Sequence, residues 1–286
     1  MSEKKKNYVI LIGGSEDRKR DKVILNRMLK KTRAKHIAII PSASFYPIEA
    51  SREYKNAFND LGVKNVDTLD IRYRDEADRQ EHLEIVESAD LVFFSGGDQV
   101  KLVRTLDNSD LMRVVKRRFE EENLSIAGSS AGAAAASRVM YYDGDYHGFE
   151  KNSINASEGF GFLEDITIDT HFRERQRYMR MVQILASGKT EKGIGLDEDT
   201  AIIIRPGQRF EVVGSGIVTV MDGRRIKYSN YEMISEHDLI GVDDIKMSFL
   251  TSGMTFSMKR WKSNIPMRHK NIIKQYLENK KQTDTN

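Results

Sequence analysis

Compact apolar runs recur along the first half of the chain, separated by stretches where apolar residues return every three or four positions. The runs are Tyr8–Ile12, His36–Ile40, Asn65–Leu69, Asp90–Ser95 and Leu124–Gly128. Runs this short, bounded by glycine, proline or charge, read as buried strands. Between them, Asp17–Leu29, Ile48–Leu61, Asp75–Glu87 and Leu111–Glu121 read as helices, with Val23, Leu25, Met28 and Leu29 as candidate core residues of the first. Strands that alternate with helices and lack a polar face predict a parallel sheet covered on both sides.

The texture changes after Met140. Tyr141–Ser157 is rich in glycine and polar residues and reads as a long loop. Ile166–Phe172 is β-like and carries His171 near its end. Arg173–Ala186 reads as a helix whose inward stripe is Tyr178, Met179, Val182 and Leu185. Gly193–Ala201 sets Asp197, Glu198 and Asp199 between two short strands. Ala201–Arg205, Phe210–Val213 and Ile217–Met221, joined by turn residues such as Pro206-Gly207, predict antiparallel strands appended to the main sheet. Asn264 and Pro266 mark the start of a helix over Met267–Leu277. The tail, residues 280–286, is expected to be disordered. With no repeat and no linker, residues 1–279 read as a single catalytic domain.

Composition narrows the function classes. A chain of 286 residues, 39% hydrophobic and 31% charged, describes an ordinary globular protein with room for a large core. Its 46 basic and 43 acidic residues leave a net charge of only +3, so no nucleic-acid partner is implied. The absence of cysteine excludes disulfides, thiol catalysis and thiolate metal sites. No segment has the length of a secretory core or a membrane span, so a cytoplasmic protein without a membrane partner is expected.

Ligands of parallel sheets bind beyond the carboxyl ends of the strands. Three small or polar loops fall there: Gly13–Asp17, Ser95–Gln99 and Gly128–Gly132. The last reads Gly128-Ser129-Ser130-Ala131-Gly132, the G-x-S-x-G spacing of a nucleophile elbow. Such a turn lifts the Ser130 hydroxyl out of the sheet and aims the next helix start towards it. The backbone N–H groups of Gly97 and Ala131 follow strands that should be neighbours, and they form a candidate oxyanion hole. Of six histidines, His171 stands at a strand end, while His147 in the polar loop is its one rival. A serine needs a base to take its proton, and the base needs an acid to fix its tautomer. The order Ser130, His171, then an acid among Asp197, Glu198 and Asp199 supplies those roles, with all three acids equal candidates. An α/β-hydrolase order would instead require His237 or His269 as base, and ranks second. The histidines lack zinc-ligand spacing, so neither a metal nor a cofactor is implied.

These motifs, taken in order, resemble the cyanophycinases, within the dipeptidase E-like group of serine peptidases. The resemblance runs through Gly13–Asp17, Phe93–Gln99, Ala127–Ala133, Gly159–Leu163, Asp169–Phe172, Gly195–Ala201 and Phe210–Gly216. It implies a three-layer α/β sandwich of the class I glutamine amidotransferase-like, flavodoxin-like kind, with serine at the elbow. It also implies Ser130 as nucleophile, His171 as base and Glu198 as the acid, in a homodimer. The family cleaves cyanophycin, a poly-aspartate backbone bearing arginine on each side chain, to β-aspartyl-arginine dipeptides.

By the same resemblance, Gln99, Asp169, Thr170, Arg175, Arg177 and Arg180 fall at substrate-contacting positions. Arg173, Arg175, Arg177 and Arg180 crowd the expected first turns of a helix, where cations oppose the macrodipole. Reading substrate carboxylates would explain that cost, and Arg175, on the side of Met179 and Val182, is expected to point towards the sheet. Two departures stand out: Thr170 replaces the family's usual glutamine, and Asp143–Asn155 is unlike the family loop beyond Gly144-Asp145. Two alternatives compete with a cyanophycin-cleaving exopeptidase. One is a dipeptidase for aspartyl or isoaspartyl peptides, and the other a non-catalytic ligand-binding protein of the same fold.

Overall fold

The computed structural model describes residues 7–143, 149–205 and 209–264. In chain order the first half contains β1 (Val9–Ile12), α1 (Val23–Thr32), β2 (His36–Ile40), α2 (Pro47–Asp60), β3 (Asn65–Thr68), α3 (Gln80–Ser88), β4 (Leu91–Phe94), α4 (Gln99–Leu106), α5 (Asp110–Glu121), β5 (Ser125–Ser129) and the short α6 (Ala131–Ala134). Next come β6 (Val139–Tyr142), β7 (Asn155–Glu158), β8 (Thr167–Thr170), α7 (Tyr178–Ala186), β9 (Lys192–Leu196), β10 (Thr200–Arg205), β11 (Arg209–Gly214) and β12 (Val218–Asp222). The pair β13 (Tyr228–Ser229) and β14 (Val242–Asp243) precedes β15 (Lys246–Leu250), β16 (Thr255–Ser257) and β17 (Lys262–Asn264).

Nine strands form the central sheet, in the order β17-β16-β11-β10-β1-β5-β4-β2-β3. From β1 to β3 every pairing is parallel, and from β1 to β17 every pairing is antiparallel. One face packs on α1 and α2 through Ile10, Ile12, Ile37, Ile39 and Phe93. On the other face, Ala38, Ile40, Val92 and Phe94 pack against α4 and α5. Beyond β1 that second face meets a separate four-stranded sheet, β15-β12-β9-β8. Val9, Leu11, Ile202 and Ile204 interleave there with Ile168, Ile194, Leu196, Val218 and Val220. Helix α7 closes the outer side of this sheet with Met181, Ile184 and Leu185. The expected α/β sandwich, with its parallel core and appended antiparallel strands, is present.

Several local expectations differ. Val218–Asp222 does not extend the main sheet; it pairs with β9 and β15 in the second one. The first helix begins at Val23 rather than Asp17, because the Asp17 carboxylate accepts the backbone N–H groups of Lys19, Arg20 and Lys22 and closes its own turn. Val23 is exposed, and Ile24 takes its place in the core. The polar stretch after Met140 is not a plain loop: β6 and β7 pair antiparallel at its two ends. Residues 173–177 form turns, and α7 starts only at Tyr178. Its buried side is Arg180, Met181, Gln183, Ile184 and Leu185, because the helix starts later and is rotated from the expected stripe. The expected helix over Met267–Leu277, the tail 280–286, His147 and His269 lie outside the described residues.

Candidate active site

The elbow is built by glycines where no side chain fits. A Cβ on Gly128 would lie 2.3 Å from the Gly132 backbone, and one on Gly132 would lie 2.4 Å from the Phe94 carbonyl. Between them Ser130 takes φ 51° and ψ −111°, a conformation non-glycine residues rarely hold. Its N–H donates to the Ile12 carbonyl at 2.9 Å, which ties the turn to the end of β1. The helix that follows has only four residues, so its dipole is small, and the N–H groups at its start matter more than its field.

His171 reaches this serine from the end of β8. Its Nε2 lies 2.8 Å from Ser130 Oγ, and its Nδ1 lies 2.6 Å from Glu198 Oε1. The ring is nearly buried, whereas the Glu198 side chain is 39% exposed, so one flank of the acid meets solvent. The His171 N–H donates to Gly13 at 3.0 Å, and its backbone is itself left-handed, with φ 48°. Gly14 is bare beside it: a Cβ there would sit 2.4 Å from His171 Cε1.

The three acids of the turn after β9 divide their tasks. Asp197 is fully buried and accepts the N–H groups of Arg173 and Ile217, and burial pushes its carboxyl above the ordinary range. Asp199 accepts the Asp17 N–H and the Ser215 hydroxyl. Only Glu198 faces the imidazole, and its N–H is held by Glu174 Oε2 at 3.2 Å. Both aspartates shape the turn that presents it.

The β4–α4 turn abuts the serine from the other side. A Cβ on Gly96 would lie 3.2 Å from Ser130 Cβ, and Gly97 follows with φ 142°. Gly97 is locked against the preceding loop, since its own Cβ would lie 2.1 Å from the Ala43 carbonyl. Gly97 and Ala131 therefore stand on the two turns that flank Ser130.

The remaining candidate residues form one connected set beyond His171. Arg177 Nη1 donates to Asp169 Oδ1 at 3.0 Å and to the Thr170 carbonyl at 2.9 Å. Arg180, buried completely, places Nε 3.1 Å from Asp169 Oδ2. Its Nη2 donates to the Tyr141 carbonyl at 2.9 Å, which also accepts Gln99 Nε2 at 3.1 Å. Burying two guanidiniums is tolerable because Asp169 faces both. Arg175 departs from expectation. It is exposed and lies in the turn before α7, not on a helix face packed against the sheet.

The other histidines stand elsewhere. His36 pairs with Asp67, His82 contacts the Glu76 carbonyl, and His237 sits in an exposed turn. Among the described residues no three His, Asp or Glu side chains cluster to hold a metal. No described helix is long and apolar enough to cross a membrane. Sequence reasoning missed Glu16, Ser129 and Tyr54, which are linked beneath the elbow. The Gly13–Asp17 motif stood out, but no local signal connects Glu16 to a serine 113 residues away.

A model of peptidase family S51 matches residues 9–212. A cyanophycinase of Geminocystis herdmanii is 31% identical over 258 residues, which is 89% of this chain and 94% of that protein. Cyanophycinases of Synechococcus elongatus and Trichormus variabilis are each 30% identical, covering 89% and 88% of this chain and 80% and 86% of theirs. The crystal structure of a peptidase from an acI-B1 actinobacterium has the same fold, with a TM-score of 0.68 at 23% identity, covering 88% of this chain and 97% of that one. A family match that runs from β1 into β11, with relatives matched along most of their length, makes this chain a serine-type peptidase of family S51.

Proposed function

We propose that the protein is a cyanophycinase-type exopeptidase, with Ser130 as nucleophile, His171 as general base and Glu198 as the acid that orients it. The observation that carries this reading is the continuous contact from Ser130 Oγ to His171 Nε2 at 2.8 Å and from His171 Nδ1 to Glu198 Oε1 at 2.6 Å. In this reading Ser130 Oγ attacks the scissile carbonyl while its proton passes to His171 Nε2. Glu198 holds the imidazolium that forms, and the Gly97 and Ala131 N–H groups receive the charge on the carbonyl oxygen. His171 then returns the proton to the departing amine, and water hydrolyses the acyl-enzyme by the same path reversed.

Gln99, Asp169, Thr170, Arg175, Arg177 and Arg180 line the substrate side of this site in the proposal. Arg175, exposed in its turn, reads a substrate carboxylate directly. Arg177 and Arg180, both held by Asp169, brace the strand end behind it. The named activity of relatives about 30% identical supports cyanophycin as the substrate.

The decisive assay incubates the protein with purified cyanophycin and identifies soluble products by mass. β-Aspartyl-arginine dipeptides are expected. The Ser130→Ala variant should lose hydrolysis by on the order of 10³-fold or more while melting like the wild type. Cleavage of α-aspartyl dipeptides in preference to cyanophycin would assign the dipeptidase activity instead. Near-normal turnover by Ser130→Ala would remove that serine from the reaction.

A further inference from the structure

Glu16 is a buried carboxylate, 3% exposed, with no part in the contact chain from Ser130 to Glu198. Its Oε2 accepts the Ser129 hydroxyl at 2.7 Å, and its Oε1 accepts the Tyr54 hydroxyl. Tyr54 is itself fixed, its ring 4.5 Å from that of Phe93 and covered by the Arg18 guanidinium at 5.0 Å. Burial, and then the charge of Glu16, push the Tyr54 phenol well above its ordinary range, so it stays a donor. A buried carboxylate is costly unless fully hydrogen-bonded, and here both oxygens are engaged.

The place of this carboxylate is what matters. Ser129 ends β5 opposite Ile12 and immediately precedes Ser130, the residue held at φ 51°. Strain of that kind persists only where the surroundings over-determine it. The loop that carries Glu16 also reaches the segments that hold His171 and Glu198. The His171 N–H donates to Gly13 at 3.0 Å, and the N–H of Asp199, next to Glu198, donates to Gly14 at 2.8 Å. One five-residue loop thus contacts the backbone or side chain beside each of the three groups.

We infer that Glu16 is a positioning residue, whose carboxylate pins Ser129 and thereby holds Ser130 Oγ in line with His171 Nε2, with the loop Gly13–Asp17 as the common frame. This rests on the reading of Ser130 as the nucleophile. Glu16 acts through the geometry of the serine and leaves substrate binding alone. The hydrogen bond is what does the holding, so a neutral side chain that keeps it should largely suffice.

The test uses the full chain and a fluorophosphonate that labels the activated serine, with the maximal labelling rate and the probe's half-saturation measured separately beside the melting temperature. Glu16→Ala and Ser129→Ala should lower the maximal rate about tenfold or more, as expected when a reacting atom is slightly misplaced, with half-saturation unchanged. Glu16→Gln, which keeps an acceptor towards Tyr54 and a partner for Ser129, should stay within about threefold of wild type. Should Glu16→Ala fail to fold, Ser129→Ala decides, since it removes one oxygen from the other end of the same bond. A wild-type labelling rate in folded Ser129→Ala would overturn the inference, whatever its melting temperature. A loss in Glu16→Gln as deep as that in Glu16→Ala would also overturn it, assigning the effect to charge. Failure of the wild type to label at all would withdraw the Ser130 reading itself, and the inference with it.

Discussion

Ser130, His171 and Asp199 all hold left-handed backbones, with φ of 51°, 48° and 45°. Each such residue costs of order 1–3 kcal/mol, and three at one rim mean that packing enforces the arrangement. Gly14 belongs to that packing. The Gly14→Ala variant would drive a methyl group to within 2.4 Å of His171 Cε1 at a φ of 104°, so the imidazole must turn aside. Fluorophosphonate labelling should fall about 100-fold, with only a modest loss of melting temperature. An unchanged rate would mean that the ring position is unimportant. Arg175 calls for a smaller number than a buried contact would. Its exposure limits a carboxylate contact to about 1 kcal/mol, or roughly fivefold in kcat/KM on an aspartyl substrate. The Arg175→Ala variant should show that loss on cyanophycin and none on a neutral activated ester. Equal losses on both would make the role structural.

Elements are tied together around the site by charge as well as by apolar packing. Glu211 on β11 receives Arg27 and Lys31 from α1, both at 2.7 Å, and so clamps the helix to the antiparallel wing of the sheet. Burial works against this carboxylate's charge, but hydrogen bonds from Arg27 and Lys31 prevail and hold it below its ordinary range. Its folded-state affinity for a proton is lower than its unfolded one. The stabilisation is therefore present above the unfolded value of about 4.3 and lost as the pH falls below it. Glu211→Gln should lower the melting temperature by about 2–4 °C at neutral pH, for a clamp worth about 1 kcal/mol. That difference from wild type should close on acidification towards pH 3, and melting curves at several pH values check it. A constant difference would mean that packing, and not charge, makes the contribution. At the same scale, the late start of α7 makes Arg177 its N-cap and sets Arg180 in its first turn. Asp169 faces both guanidiniums and offsets the unfavourable end of the macrodipole they meet there.

Across the whole molecule, two sheets meet face to face, and the site lies where their loops converge. Ser130 comes from the central sheet; His171 and Glu198 come from the ends of β8 and β9 in the second sheet. Leu196, fully buried, packs in the core between the two sheets and ends the strand that leads to Glu198. Leu196→Ala should cost about 3 kcal/mol and lower the melting temperature by roughly 6–12 °C. Labelling of the folded enzyme should fall as well, because the acid turn hangs from that strand. A melting temperature unchanged by the substitution would show that the two sheets do not depend on this contact.

The amino-acid sequence by itself determined the parallel core, because its buried strands are short apolar runs and its helices keep their period. It also marked the elbow around Ser130, the histidine at a strand end and the acid-rich turn, since each is a local pattern of a few residues. Tertiary structure decided what local pattern cannot carry. Strand β12 joined the second sheet, where it lies between β9 and β15 and is buried along its whole length, a placement set by its partners in space. Glu198 is the acid of the three that meets His171, while backbone N–H groups and the Ser215 hydroxyl engage Asp197 and Asp199. Arg180 went into the interior while Arg175 stayed at the surface, although hydropathy treats them alike. The difference is Asp169, a countercharge that the fold brings to Arg180 across the end of β8 and the turn before α7. Glu16 and Ser129 meet for the same reason: a buried hydrogen bond depends on where two strands end in space, and not on their separation along the chain.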